Sequence, residues 1–194
     1  MQPRTAPRVT PIVGLLASNP AFFEAVRAPL ERSFGPIELT SALFPFDGTD
    51  YYGASMGTGL KRCFFSFKNF ADPAALADWK LASNALEERL KPVLAHGGNP
   101  ERPINIDPGY ITGSKLILAT TKDFAHRIYL RDGIFAEITL AFRAGKWLHH
   151  NFTFPDFKSG AYDVFLKKVR DNHLRKSRAL NAARGPDCVP LSPG

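Results

Sequence analysis

The middle of the chain is rich in side chains that could perform acid–base or phosphate chemistry. Asp107 and Glu137 carry carboxylates that can act as general bases, and Asp107 could also hold Mg²⁺. Cations able to bind phosphate or carboxylate follow at Lys115, Lys122 and Arg127. Several of these groups lie within or beside apolar stretches, where burial requires a partner. A pocket for an anion would satisfy the cations, and internal salt bridges would do so equally well.

The tetrapeptide Asp107-Pro108-Gly109-Tyr110 predicts a tight turn in this stretch. Pro108 fixes the φ needed at the first central position of a type II turn, and Gly109 accepts the positive φ of the second. The turn explains both residues without a ligand. Tyr110 follows it and could stack on a ring of a bound molecule.

A second group of candidates lies in the loop from Asp47 to Gly59. Asp47 can accept a proton or, together with Asp107, hold Mg²⁺ beside a phosphate. Tyr51 offers a ring for stacking. Because Asp and Tyr are also common loop residues, an ordinary connection explains the same residues.

Two glycines precede adjacent cations at the end of this loop, at Gly57, Gly59, Lys61 and Arg62. Backbone N–H groups and side-chain charges in such an arrangement can cradle an anion, which makes Arg62 a ligand-binding candidate. The stretch is not a Walker loop, because a strand and not a helix follows the cations. A flexible connection with ordinary strand-start charges is the alternative.

The sequence around Asp132-Gly133 predicts a β-hairpin whose register decides where the charged side chains lie. A two-residue turn would place Glu137 among apolar side chains. A three-residue loop from Arg131, with the glycine in the positive φ of a bulge, pairs Arg127 with Glu137 across the strands. We favour the second register because it separates the charged from the apolar side chains.

These candidates must be positioned by strands and helices that alternate along the chain. Strands are predicted near residues 11–17, 37–46, 60–67 and 104–106. Helices are predicted near residues 20–33 and 72–90. The order βαββαβ indicates an α+β, ferredoxin-like fold, in which two helices cover one face of an antiparallel sheet. We expect a C-terminal β-hairpin to extend this sheet and a final helix near 160–179 to follow.

One face of the second predicted helix carries Lys80, Asn84 and Glu87 at positions i, i+4 and i+7. Such a face is usually solvated and held by weak side-chain pairs. We therefore interpret it as a surface feature. Inside the first helix, Pro29 predicts a kink or a division into two pieces.

The composition is that of one soluble domain. The 194 residues are 44% hydrophobic and 22% charged, and we assign residues 9–175 to a single domain with disordered tails at 1–8 and 180–194. The formal charge of +7 resides at the two ends, because residues 9–166 contain equal numbers of basic and acidic side chains. The basic C-terminal tail could contact nucleic acid, or it could serve only as a solvated end.

The lengths of the apolar runs and the positions of Cys and His exclude several classes of protein. The apolar runs are far shorter than the roughly 20 residues that cross a bilayer, so no membrane span is expected. Two distant cysteines, Cys63 and Cys188, do not form a disulfide framework, and a reducing cytoplasm is the expected location. Because no zinc-type spacing of Cys and His occurs, we predict no zinc site, and we leave the cofactor open with Mg²⁺ as the candidate.

Several stretches together resemble an uncharacterised prokaryotic family. They include Gly14-Leu15-Leu16, Phe34-Gly35-Pro36-Ile37, Phe44-Pro45-Phe46-Asp47, Leu60-Lys61-Arg62, Asn105-Ile106-Asp107-Pro108-Gly109-Tyr110 and His126-Arg127-Ile128-Tyr129-Leu130. Over roughly residues 10–175 the chain resembles the family described as domain of unknown function 4416, whose Asp-Pro-Gly-Tyr hallmark it matches in full. The resemblance implies family membership and brings no activity with it.

Two functions of different classes follow from the sequence. The leading hypothesis is a protein that binds an anionic small molecule, a nucleotide or phosphorylated metabolite, with Mg²⁺-assisted hydrolysis or phosphoryl transfer as the reaction such a site could support. The catalytic candidates are Asp47, Asp107 and Glu137, and the ligand-binding candidates are Tyr51, Arg62, Tyr110, Lys115, Lys122 and Arg127. The alternative is a non-enzymatic module that binds RNA or protein through the sheet face and the basic C-terminal helix.

Overall fold

One antiparallel sheet forms the centre of the molecule. The structure is a computed structural model that describes residues 2, 5–46, 53–95 and 99–183. The candidate residues Asp47 and Tyr51 lie outside the described residues. Nine described strands belong to the sheet, in the order β2-β4-β1-β5-β6-β8-β7, with β3 paired to β4 and β9 paired to β8.

The elements alternate along the chain much as their sequence patterns predict. The strands are β1 (Thr10–Ala17), β2 (Ile37–Thr40), β3 (Phe44–Pro45), β4 (Lys61–Phe67), β5 (Ile104–Ile111), β6 (Lys115–Thr120), β7 (Ile128–Arg131), β8 (Ile134–Arg143) and β9 (Lys146–His149). The helices are α1 (Ala21–Phe34), α2 (Gly53–Met56), α3 (Leu76–Leu94), α4 (Pro155–Lys158) and α5 (Asp163–Ala183), and a 3-10 turn at Pro73–Ala75 precedes α3.

The α+β class and the antiparallel sheet are confirmed, but the sheet is larger than predicted. Strand β1 pairs with β4 on one side and with β5 on the other, and β4 also pairs with β2, each pair antiparallel. Strands β6 to β9 continue the sheet beyond β5. A four-stranded ferredoxin-like description therefore does not cover the whole sheet, and that specific topology stays a prediction.

Both faces of the central strands are covered. Alternate residues of β1, β4 and β5, such as Leu15, Phe65 and Ile106, pack with α1 and α3. The intervening residues face α4 and α5, where Phe64 and Leu166 belong to one cluster. Because helices cover both sides of β1, β4 and β5, these strands offer no open sheet face to which RNA or protein could bind.

Pro29 does not divide helix α1 into two pieces, and the predicted kink stays a prediction. The helix is continuous from Ala21 to Phe34 with Pro29 inside it. Its apolar stripe, including Val26 and Leu30, is buried against the sheet. Burial of this stripe offsets the loss of one backbone hydrogen bond at the proline.

The predicted turn at Asp107-Pro108-Gly109-Tyr110 is wrong. All four residues lie inside β5, where Pro108 pairs with Val13 of β1. The local preference for a turn is overridden because β5 lies between β1 and β6 in the sheet.

The β7–β8 hairpin combines features of both registers considered. Asp132 and Gly133 have φ of 53° and 73°, which is a two-residue turn and not the predicted three-residue loop. A bulge between Tyr129 and Arg131 then restores the favoured register, with Tyr129 opposite Phe135.

The final helix extends beyond its predicted end. Helix α5 runs to Ala183, whereas the sequence pattern ended it near Ala179 and predicted disorder from residue 180. In the part of the chain that the structure describes, no helix combines the length and apolarity needed to cross a bilayer.

Candidate functional site

Strands β5 and β6 separate along part of their length. They pair from Gly109 opposite Leu118 to Ile111 opposite Leu116. Before Gly109, β5 remains paired with β1, while β6 continues beside β8 to Thr120. Pro108 marks the point of separation, because a proline has no N–H to donate to a neighbouring strand.

Side chains from α3 take the place of the missing strand. Lys80 Nζ donates to the carbonyl oxygen of Ile106 at 2.9 Å, and the N–H of Ile106 donates to Glu87 Oε1 at 2.7 Å. Both side chains are buried. Buried backbone groups require partners, so these two bonds allow the sheet to open at this point.

Gly109 permits the close approach of β5 and β6 beside the opening. A Cβ atom at this position would lie 2.1 Å from the carbonyl oxygen of Ile117. No side chain fits there without movement of the backbone. The Asp-Pro-Gly sequence therefore has a structural role: Gly109 joins the two strands, Pro108 ends their pairing and Asp107 lies at the opening.

A cavity of about 520 Å³ occupies the separation. Segments distant in sequence contribute to it: β1, β4, α3, β5, β6 with the loop after it, β8 and α4. Five basic side chains line it, namely Arg62, Lys80, Arg102, Lys122 and Arg127. Three acidic side chains line it, namely Asp107, Glu137 and Asp156. The volume is within the range of roughly 300–1,000 Å³ typical of small-molecule sites.

Asp107 is the centre of the first charged cluster. Its Oδ1 lies 2.9 Å from Lys80 Nζ, and its Oδ2 lies 3.9 Å from Arg62 Nη1 and accepts a bond from Asn105 Nδ2 at 2.6 Å. Burial by itself would raise the pKa of Asp107, but the charges of Lys80 and Arg62 outweigh it and the pKa is lowered. Asp107 is therefore held as a carboxylate.

Arg62 connects this cluster to α4. Its Nη2 lies 3.4 Å from Asp156 Oδ2, and the Tyr162 hydroxyl donates to the same oxygen at 3.1 Å. Burial, followed by the charge of Asp156, raises the pKa of Tyr162, so the phenol stays protonated. A Cβ at Gly14, which also lines the cavity, would lie 3.2 Å from Cε1 of Phe64, so this glycine leaves room for the Phe64 ring.

Arg102 is the centre of another group of polar contacts in the cavity, beside those of Asp107 and Arg62. Its Nη2 donates to Glu87 Oε2 at 2.9 Å and also contacts Asn105 Oδ1. Burial raises the pKa of Glu87, and the charges of Lys80 and Arg102 partly oppose that shift.

The opposite wall contains the predicted pair of Arg127 and Glu137. Arg127 Nε donates to Glu137 Oε2 at 2.9 Å, which confirms the pairing expected from the hairpin register. His126 Nε2 lies 3.3 Å from the same oxygen, and Thr139 Oγ1 donates to Oε1 at 3.2 Å. Glu137 is only 4% exposed, and these three partners balance its charge and fix its position within the wall.

Five of the nine candidate site residues come together in the cavity. These are Arg62, Asp107, Lys122, Arg127 and Glu137. Lys115 is the first residue of β6, at the end of the strand that is paired with β5 and away from the separation. It is not among the described residues that line the cavity. Tyr110 is also not among the described lining residues and packs against the cluster of Leu76 and Ile117.

The polar face of α3 is the clearest feature that sequence interpretation missed. Lys80 and Glu87 are buried against β5 and are not the solvated pair expected from their spacing. The spacing itself was visible, but nothing near them in sequence indicated the strand edge that they bind. Asp156 was also missed, because its partner Arg62 lies on β4.

The described carboxylates can be compared with the clusters that hold metal ions in proteins. Among the described residues, no group of three or more His, Cys, Asp or Glu side chains is placed to hold a metal ion. Asp107 and Glu137 are each paired with cations instead. The Mg²⁺ arrangement predicted from Asp47 and Asp107 includes a residue outside the described ranges, so it stays a prediction.

Comparison with known proteins identifies a family. The model of the family described as Domain of unknown function (DUF4416) matches residues 7–173. No curated protein and no solved structure is significantly similar to the chain. Because the match covers most of the chain, the protein belongs to this family.

Proposed function

We propose that this member of the DUF4416 family binds a small anionic molecule in the cavity between β5 and β6. The observation that carries the proposal is the convergence of five basic and three acidic side chains, from distant segments, on one cavity of about 520 Å³. Cations held in a partly enclosed site attract an anion, since the low local dielectric strengthens the interaction.

The ion pairs around the cavity support this proposal by fixing the cations in place. Glu137 orients Arg127 through Nε, and Arg127 Nη1 donates to the carbonyl oxygen of Lys122 at 3.0 Å. Arg127 Nη2 has no hydrogen-bond partner among the described residues. A ligand oxygen can therefore accept a bond from a guanidinium that is already positioned, which reduces the entropy lost on binding.

The ion pairs in the cavity favour binding of a ligand over catalysis. Asp107 and Glu137 are each paired with cations, so in this proposal they position cations. Hydrolysis or phosphoryl transfer assisted by Mg²⁺ is a further step, in which the metal would arrive with the phosphate of the ligand. A phosphate-release assay with and without Mg²⁺ tests that step separately from binding.

A thermal-shift screen followed by calorimetry tests the binding proposal. Nucleotides and sugar phosphates should raise the melting temperature of the full chain, because a ligand that binds only the folded state stabilises it. Arg127→Gln and, as a second variant at an exposed position, Lys122→Gln should each weaken binding about 10-fold or more. A flat screen, or unchanged affinity in both variants, would overturn the proposal.

Matched controls are available on the same sheet. Arg143→Gln and Lys146→Gln change exposed cations of β8 and β9 that do not line the cavity. They should leave affinity unchanged. If the controls weaken binding as much as Arg127→Gln does, the interaction depends on overall charge and not on the cavity.

Nucleic-acid binding through α5 is the second candidate function. Lys168 and Arg178 are exposed on this helix and make no ion pair with any residue in the described ranges. Phosphate binding by such a face would weaken steeply with salt, because it releases counterions. Binding of an RNA oligonucleotide measured between about 50 and 200 mM salt tests this candidate.

A further inference from the structure

We propose that the anionic ligand is a mononucleotide, with its base against a wall of phenylalanine rings and its phosphate beside Arg127. This inference rests on the proposed function, since it names the class of molecule that the cavity binds. It depends on three observations: the aromatic character of the wall, the position of the cations beside it, and an amide without a partner.

The apolar wall of the cavity is mostly aromatic. Its phenylalanines are Phe46, Phe64, Phe124, Phe154 and Phe157, and few aliphatic side chains accompany them. A phosphorylated sugar or acid has no flat π-system that could stack on such rings. A nucleobase has two flat faces that stack on phenyl rings whatever its identity.

Guanidinium groups lie over three of these rings, in cation–π contact with them. The Cζ of Arg127 is 5.8 Å from the ring centre of Phe154 and 5.9 Å from that of Phe124. The Cζ of Arg62 is 4.9 Å from the ring centre of Phe46. A site that holds a flat ring and an anion close together matches a molecule that carries both.

Asn84 supplies the group that could recognise the edge of a base. It lies on α3 one turn after Lys80, is partly buried and lines the cavity. Its side-chain amide makes no hydrogen bond with any residue that the structure describes. Asn105, by contrast, donates to Asp107 and accepts from Arg102. A free amide offers one donor and one acceptor side by side, which is the pattern that pairs with a base edge.

Calorimetry with ligands that share a phosphate tests the inference. The probes are AMP, GMP, CMP and UMP, with ribose 5-phosphate and inorganic phosphate for comparison. At least one nucleotide should bind about 10-fold or more tightly than ribose 5-phosphate. Equal affinity for the nucleotides and ribose 5-phosphate would overturn the inference and leave the proposed function intact. No binding of any phosphate would overturn both.

Variants at Asn84 separate recognition of the base from general affinity. Asn84→Leu should weaken the preferred nucleotide about 10-fold and leave ribose 5-phosphate unchanged, and Asn84→Asp should alter the order of preference among the four bases. Asn151→Leu, at an exposed position outside the cavity, is the matched control. Retention of wild-type preference in both Asn84 variants would contradict the role of this amide, and equal loss for ribose 5-phosphate would show that the substitution damages the cavity as a whole.

Discussion

Burial of the Arg127–Glu137 pair decides how much stability the protein loses when one partner is removed. The side chains of Arg127 and Glu137 are 5% and 3% exposed. If one partner is removed, water therefore cannot solvate the charge that remains. The pair was predictable because both residues belong to one hairpin. Lys80 and Asp107 are equally close in space, but they come from α3 and β5, and their contact depends on how the helix packs.

Glu137→Leu should destabilise the protein by about 3–5 kcal/mol, because it leaves the Arg127 guanidinium buried without a counter-ion. The double variant Arg127→Met with Glu137→Leu should recover much of that loss, since no unpaired charge remains. Equilibrium unfolding in urea measures both. Asp171→Asn, which breaks an exposed pair with Lys167, is the control and should change little. Equal stability of the single and double variants would contradict this account.

Among the elements, β5 shows how tertiary context decides local structure. Pro and Gly in sequence favour a turn, and only the pairing of β5 with β1 and β6 makes this segment a strand. In the strand, these two residues determine where the sheet opens: Gly109 allows β5 to pair closely with β6, and Pro108 ends that pairing. The strands and long helices themselves were predictable from hydrophobic periodicity, as β1 and β4 illustrate.

Helix α5 packs on β1 through a buried histidine, which predicts a pH dependence of stability. His173 Nδ1 lies 3.1 Å from Thr10 Oγ1, and burial, together with the charges of Lys176 and Arg170, lowers the pKa of His173 to about 4. The unfolded chain binds a proton near pH 6.5, well above the folded pKa. This contribution is therefore fully present above pH 6.5 and is lost as the pH falls toward 4.

The loss should amount to about 3 kcal/mol in the free energy of unfolding between pH 6.5 and 4. His173→Gln, which keeps a polar group opposite Thr10, should remove this part of the acid destabilisation. Urea unfolding at a series of pH values measures the difference between the two proteins. Parallel pH curves for wild type and variant would show that His173 is not the titrating group.

At the scale of the whole molecule, the cavity is separate from the exposed end of α5. Lys176 is the last residue of this helix with described bonds to the body, to Glu38 Oε2 at 2.8 Å and to the Lys68 carbonyl oxygen at 2.9 Å. A chain ending at Ser177 should therefore keep its melting temperature and its shift with a phosphate ligand. Loss of binding in this truncated chain, with strong salt dependence in the full chain, would favour the nucleic-acid function.

The sequence by itself determined the class of fold, the main strands and helices, the Arg127–Glu137 pair and membership of the family. These depend on periodicity, short-range register and shared motifs, all of which are local along the chain. Only the tertiary structure decided that β5 leaves β6 at Pro108, that Lys80 and Glu87 bind the strand edge, and that Lys115 and Tyr110 lie away from the cavity. Each of those outcomes depends on which distant segment packs beside a residue, and hydrophobic burial selects that partner for the molecule as a whole.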